Sequence, residues 1–358
     1  MPANYLVNRK ILAETKVEQT EAVSISTGQA VLRVDRFALT ANNITYGVAG
    51  DMIGYWDFFP AGEGWGRIPV WGIGTVTASG HPDLAVGDRC YGYYPMSSEL
   101  VVRPEKVNAR GFIDASAHRA ALPIVYNQYS LMTAGNGFNP DHDNHYMLYR
   151  PLFTTSFVLD DYFADNNFFG AKTMVLGSAS SKTAFGLAFM LKRRGYNSVI
   201  GLTSSANIAF CKNLGLYDVV LSYDDVEQLP LATSAYVDMS GNGEVLNRVH
   251  HHLTDNLVNS CGVGITHHQS GLRPAADSMP GPKPEGFFAP TQIIKRNQEL
   301  GSGVYQQRIG DATQAFLDKV DMWVTIQERP FEELDDVYHT VLNGASPDRG
   351  YVITVAPS

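Results

Sequence analysis

Residues 172–194 read KTMVLGSASSKTAFGLAFMLKRR, and this stretch decides the fold. A short apolar run at 172–176 meets a turn of small residues and then a helix-forming segment over 183–194, the order of a β–α unit. The pattern repeats downstream. SVIGL at 198–202 leads into a predicted helix over 206–214, and DVVL at 218–221, AYVDM at 235–239 and LVNSCGVGI at 257–265 continue the series. Strands alternating with helices through short connections predict an α/β block with a parallel sheet covered on both faces.

The first turn carries the chemistry. Gly177-Ser178-Ala179-Ser180-Ser181-Lys182-Thr183 uses small side chains, which let backbone amides and the positive end of a helix dipole approach a phosphate. Its hydroxyls add donors and Lys182 adds a cation. A dinucleotide fingerprint has glycine at most of these places, so the serines are a departure. A Walker-type loop is excluded, because it needs Gly directly before the lysine and five residues further upstream; Ser181 and Leu176 stand there. A merely packed turn leaves the hydroxyls and the lysine without a purpose.

NAD-binding folds place an Asp or Glu near the end of the second strand, about 20 residues on, to accept from the ribose hydroxyls. Here that end reads Thr203-Ser204-Ser205-Ala206-Asn207, with no acid. Hydroxyl and amide groups tolerate a 2′-phosphate that a carboxylate repels, and Lys182 and Lys212 supply neutralising charge. This favours NADP over NAD. Ser204 or Ser205 also reads as an N-cap of the following helix.

The regions on either side differ in character. Residues 1–110 read as β-rich: AVLRVDRFA at 30–38 alternates apolar and polar, and VWGIGTVTAS at 70–79 and the VGDRCYG turn and strand at 86–92 follow, together suggesting a barrel. Residues 111–169 are rich in Tyr, Phe, Asn and Asp, with a polar stretch at 135–145 that reads as an exposed loop and a predicted helix over 152–163 that Arg150-Pro151 opens. Near the end, 331–342 is amphipathic and YVITV at 351–355 is a last strand. A lone strand after an α/β block needs a partner, and the β-rich region is its host.

Composition narrows the function classes. The chain has 358 residues, long enough for two domains, with 27 Lys+Arg against 36 Asp+Glu and a formal charge of −9. An acidic surface argues against nucleic acid as a partner. The three cysteines, Cys90, Cys211 and Cys261, are widely spaced and read as reduced thiols of a cytoplasmic protein. No apolar run is long enough for a membrane span.

In the order of its parts the chain resembles the medium-chain dehydrogenase/reductase superfamily, in particular its zinc-free quinone and enoyl reductase branches. Residues 72–79 and 86–92 look like that family's GxVxxxG…VGDRVxG strand pair, Thr154-Thr155-Ser156 like its LTA motif, and 177–186 like its GASGGVG turn. The resemblance covers most of the chain. It implies a GroES-like catalytic domain over 1–150, enlarged by an insertion near 111–149, a Rossmann-like nucleotide domain over 151–320, and a return to the first domain over 321–358. It also suits a symmetric homodimer. A second stretch longer than the family needs lies at 274–290.

These features imply a metal-free, NADP-dependent oxidoreductase acting on a carbonyl or activated C=C bond of a small molecule. Cofactor contacts are expected from Ser178, Ala179, Ser180, Ser181, Lys182, Thr183, Thr203, Ser204, Ser205, Asn207, Lys212 and Gly264. The resemblance places Tyr46 as proton donor, since a neutral phenol can give a proton, and Thr155 beside the nicotinamide. Asn43 adds a donor, Arg150 a cation, and His267 a second proton donor, whereas Asp238 reads as a turn residue. No metal is expected: the family's Gly-His-Glu segment and four-Cys lobe are missing, 141–145 (DHDNH) reads as a solvated turn, and 250–252 as surface histidines. Two other classes fit the same residues, a cofactor-independent lyase or hydrolase of a diketone-like substrate and a non-catalytic nucleotide-binding protein.

Overall fold

The computed structural model describes residues 2–21, 23–263 and 279–355. It forms two compact units, one of residues 1–148 and 325–358 and the other of 149–324.

In the second unit six described strands lie parallel, in spatial order Val219–Ser222, Val199–Thr203, Thr173–Gly177, Ser234–Asp238, Leu257–Val263, Glu285–Phe287. Numbered along the chain this is 3-2-1-4-5-6, the order of dinucleotide-binding sheets. The strands Thr173–Gly177, Val199–Thr203 and Ser234–Asp238 are buried along their whole length, as expected of strands with helices on both faces. Val175, Ile200, Leu202 and Tyr236 pack with Val245, Leu246 and Val249 of the helix Gly243–Leu253 to make one side of the core.

The helix Lys182–Arg194 has both ends written locally. Ser181 caps it by accepting from the amide of Ala184, and Gly195 ends it in the left-handed region at φ +81° behind three basic residues, which complement the negative end of the dipole. Gly186 is required for packing, because a Cβ there would lie 2.6 Å from Ser156 Oγ.

Two expectations are corrected. The helix predicted from 152 runs instead over Asp143–Asp165, with Pro151 inside it. Proline removes one N–H from a helix, and the hydroxyls of Thr154, Thr155 and Ser156 donate to the carbonyls four residues back on either side of that interruption. Within the stretch expected to be an exposed loop, Asp143 is buried and paired with Arg89 at 2.5 Å. The second correction concerns 250–252, expected at the surface. His250 is fully buried, with Nδ1 2.8 Å from Pro280 O and Nε2 2.9 Å from Ser260 Oγ; His252 is half-buried and only His251 is exposed.

Burial holds the His250 imidazole below its ordinary pKa, against the smaller opposing effect of Pro280 O. The unfolded chain therefore takes up the proton first. Stability is unaffected above the ordinary imidazole range, near pH 6.5, and is lost as pH falls below it. Urea unfolding of the wild type and His250→Gln between pH 8 and 5.5 checks this: the wild type is expected to lose stability more steeply, and parallel curves would refute it.

In the first unit a nine-stranded sheet has Ala30–Leu39 near its middle, paired with Pro69–Ser79 and Glu99–Val102. The last strand, Arg349–Thr354, pairs antiparallel with Ala30–Leu39 and parallel with Thr325–Pro330, so the terminal strand does return to the β-rich region. The segment after residue 110 adds Gly111–Asp114 and Gln128–Leu131 to this sheet. It is held by Arg119, which donates to Asp114 Oδ2 at 2.8 Å, Asn127 Oδ1 at 2.9 Å, Tyr129 OH at 3.0 Å and Tyr126 O at 2.6 Å.

Candidate active site

The order of the parallel sheet reverses between Thr173–Gly177 and Ser234–Asp238, which end at Gly177 and Asp238. In open parallel sheets ligands lie outside the carboxyl ends of the strands at such a point. Asp238 Oδ1 accepts from the amides of Ser240 at 2.9 Å and Gly241 at 3.0 Å and from Ser240 Oγ at 2.7 Å, which is the turn-holding role its sequence position suggested. A Cβ on Gly177 would come within 2.7 Å of Tyr236 OH, so the strand ends tolerate no larger residue there.

The turn after Gly177 differs from the expectation in its detail. Ser178 takes φ +54°, a left-handed value, and its amide donates to Tyr223 OH at 3.1 Å. Ala179 donates to Leu202 O at 2.9 Å and Ser181 to Ser178 O at 2.8 Å. Three of the amides expected to face a phosphate are therefore engaged, two with neighbouring segments and one within the turn. What the turn offers an anion is the helix end: the first amides of a helix, here those of Lys182 and Thr183, have no carbonyl within it to bond, and the Lys182 side chain adds charge. The Ser181 hydroxyl is the cap, accepting from the Ala184 amide, and keeps its own hydrogen to give. Ser180 Oγ accepts from Thr203 Oγ1 at 3.3 Å and Asn207 Nδ2 at 3.1 Å, leaving its own hydrogen to give.

That pair of bonds joins the two expected cofactor segments, 178–183 and 203–207, into one corner. Thr203 is buried, whereas Ser205 and Lys212 are exposed. Neither Ser204 nor Ser205 caps a helix with its side chain. The Ser205 hydroxyl instead lies 3.0 Å from Ser222 Oγ and 3.3 Å from Asp224 Oδ2. An acid therefore stands at this corner after all, carried by the turn that follows the neighbouring strand. Its sequence signal was weak, an Asp three residues beyond a short apolar run.

In the first unit Tyr46 lies on the helix Ala41–Val48 and is 5% exposed. Its oxygen accepts from Asn42 Nδ2 at 2.7 Å. Burial pushes its pKa up, reinforced by Tyr126, and the donors Trp71, Asn42 and Tyr93 pull it partly back. The phenol is therefore neutral at ordinary pH, with donors turned toward any charge that develops on it. Trp71 Nε1 and Tyr93 OH are both buried. Around them Tyr55 and Tyr126 bring their hydroxyls to 3.2 Å, and the Tyr46 and Tyr55 rings lie 4.4 Å apart. Tyr126 comes from the segment after residue 110 that carries Arg119.

Asn43 does not have the expected role. Its Oδ1 accepts from the Thr40 amide at 2.8 Å and its Nδ2 donates to Pro69 O at 2.9 Å, so it fixes the start of the helix. The donor to Tyr46 is Asn42, four residues before it and hence on the same helix face. Arg150 and Thr155 sit half-buried on the helix Asp143–Asp165, in the second unit. His267 and Gly264 lie outside the described residues. His142 and His145 stand with ring centroids 5.5 Å apart, and among the described residues no three His, Cys, Asp or Glu side chains gather as a metal site.

A protein-family model described as "Protein of unknown function (DUF2855)" matches residues 37–347. A comparison with curated proteins gives no match. Among solved structures, CurA from Vibrio vulnificus in complex with NADPH is 14% identical with a TM-score of 0.64, covering 99% of this chain and 100% of that one. The yhdH oxidoreductase from Salmonella enterica in complex with NADP is 13% identical with a TM-score of 0.57, covering 99% and 100%. CurK enoyl reductase is 10% identical with a TM-score of 0.57, covering 99% of each chain. At such identities the likeness shows the fold, a GroES-like unit with a Rossmann-like unit as in medium-chain enoyl reductases.

Proposed function

We propose that this chain, which belongs to the DUF2855 family, is a metal-free NADPH-dependent reductase of a carbonyl or activated C=C bond in a small molecule. The observation that carries the reading is the 3-2-1-4-5-6 parallel sheet whose first strand ends in the small-residue turn and the helix headed by Lys182. Two proteins of the same fold, CurA and yhdH, were crystallised with NADPH and NADP, which favours this cofactor.

The donor set fits a dinucleotide. The amides of Lys182 and Thr183, the Lys182 ammonium and the Ser180 hydroxyl suit a pyrophosphate at a helix N-terminus. Thr203, Ser204, Ser205, Asn207 and Lys212 form the adenosine end. When bound, the nicotinamide supplies hydride. Tyr46 holds the proton at its phenol oxygen and gives it to the oxyanion or carbanion that hydride addition creates, while Asn42 stabilises the charge left behind. Thr155 and Arg150 orient the ring end.

The test is a fluorescence titration with NADPH, followed by loss of nicotinamide absorbance on adding quinones, enones and ketones. Saturable binding and turnover of at least one class are expected, and an NADPH titration without binding refutes the reading. Lys182→Ala is expected to weaken NADPH roughly tenfold, the scale of one partly screened charge against a phosphate. Unchanged affinity would remove Lys182 from the site.

A further inference from the structure

We infer that Asp224 sets how strongly this protein discriminates NADPH from NADH; the inference rests on the nucleotide reading above and names the determinant at its adenosine end. The second parallel strand carries no acid at its end, where NAD-binding folds use one to accept from the ribose hydroxyls. The turn after the third strand provides one instead. Thr203 and Ser222 stand opposite each other in register, and Asp224 follows Ser222 by two residues. Its Oδ2 lies 3.3 Å from Ser205 Oγ and 3.4 Å from Ser222 Oγ, the two hydroxyls are 3.0 Å apart, and the Asp224 amide donates to Ser222 Oγ at 3.2 Å. Asp224 and Ser205 are both exposed, so this carboxylate and the hydroxyl it holds face whatever occupies the corner.

Arg248 attracts this carboxylate, but its charge is shared with Glu227 and Glu244. The Arg248 guanidinium donates to the backbone carbonyls of Tyr223 and Asp224, at 2.8 and 3.0 Å, and forms a two-pronged pair with Glu227 at 2.9 and 2.5 Å. It fixes the turn that carries Asp224 and is itself balanced by Glu227. The corner thus combines two opposing elements. Hydroxyls, the Asn207 amide and Lys212 suit a 2′-phosphate, while Asp224 repels that phosphate and accepts from a free 2′-hydroxyl. Selectivity is the balance between them, and Asp224 is its negative side.

Asp224→Asn removes the charge and keeps an oxygen for both serines. Dissociation constants of NADPH and NADH are measured for both proteins, with adenosine 2′,5′-bisphosphate and 5′-AMP as competitors confined to the adenosine end. NADPH and the bisphosphate are expected to bind about tenfold more tightly to the variant, the scale of a unit charge several Å from a phosphate near a surface. NADH and 5′-AMP are expected to be unchanged or weaker. Raising the salt concentration should shrink the gain, because exposed charges are screened. Equal changes for both nucleotides, or a gain insensitive to salt, overturn the inference while leaving the nucleotide reading in place. Failure of the unsubstituted protein to bind either nucleotide removes that reading and this inference with it. A thermal midpoint shared by the two proteins confirms that the variant is folded.

Discussion

Tyr46→Phe is expected to lower kcat/KM by about 10²- to 10⁴-fold, the usual contribution of a positioned proton donor, with little change in NADPH affinity. The substitution keeps the ring in its aromatic surroundings and removes only the hydroxyl that Asn42 addresses at 2.7 Å. Because burial raises the phenol above its ordinary pKa, the protonated form persists through neutral and mildly alkaline pH. Wild-type turnover should therefore show no fall attributable to this group as pH rises from 6 to 9. Asn42→Ala should produce a smaller loss, in kcat more than in KM, since it supports the charge left on the oxygen without touching the proton. Full activity in Tyr46→Phe would pass the donor role to another group and leave the cofactor reading standing.

Arg119→Ala is expected to destabilise the first unit by about 3–5 kcal/mol, the range seen when one partner of a buried ion pair is removed. The side chains of Arg119 and Asp114 are 1% and 0% exposed and meet at 2.8 Å. Burial works against the guanidinium charge, and Tyr129 and Asp114 more than offset it. With the arginine gone, Asp114 keeps the amides of Arg103 and Ser116 but loses its counter-charge, and Tyr126 O loses its donor. Urea unfolding measures the loss. The double variant Arg119→Met with Asp114→Asn should recover part of it, because no lone charge then remains buried. A loss below about 1 kcal/mol for Arg119→Ala would mean that water reaches Asp114.

How far the sequence reached can be judged from particular residues. The β–α series was legible because its signals are local: a strand announces itself by a short apolar run, and a helix by the helix-forming segment that follows a small-residue turn, as over 183–194. The segment around 143–165 was misjudged for an equally local reason. Proline normally ends or begins a helix, and only the structure shows Thr154, Thr155 and Ser156 bonding around it. His250 was misplaced because three adjacent histidines look polar; which one turns inward depends on the sheet and on the 280 turn that cover it.

By itself, then, the sequence determined the strand–helix alternation, the small-residue turn with Lys182 at the head of its helix, and the pairing need of the final strand. Each of these is written within a few residues, by periodicity and turn stereochemistry. The tertiary structure decided the rest: that the strand order reverses after Gly177, that Asp224 reaches Ser205, that Arg119 holds the segment carrying Tyr126, and that Tyr126 joins Tyr55 and Tyr93. Those contacts join residues many positions apart, and they exist only once register and strand order are fixed by burial of the whole core.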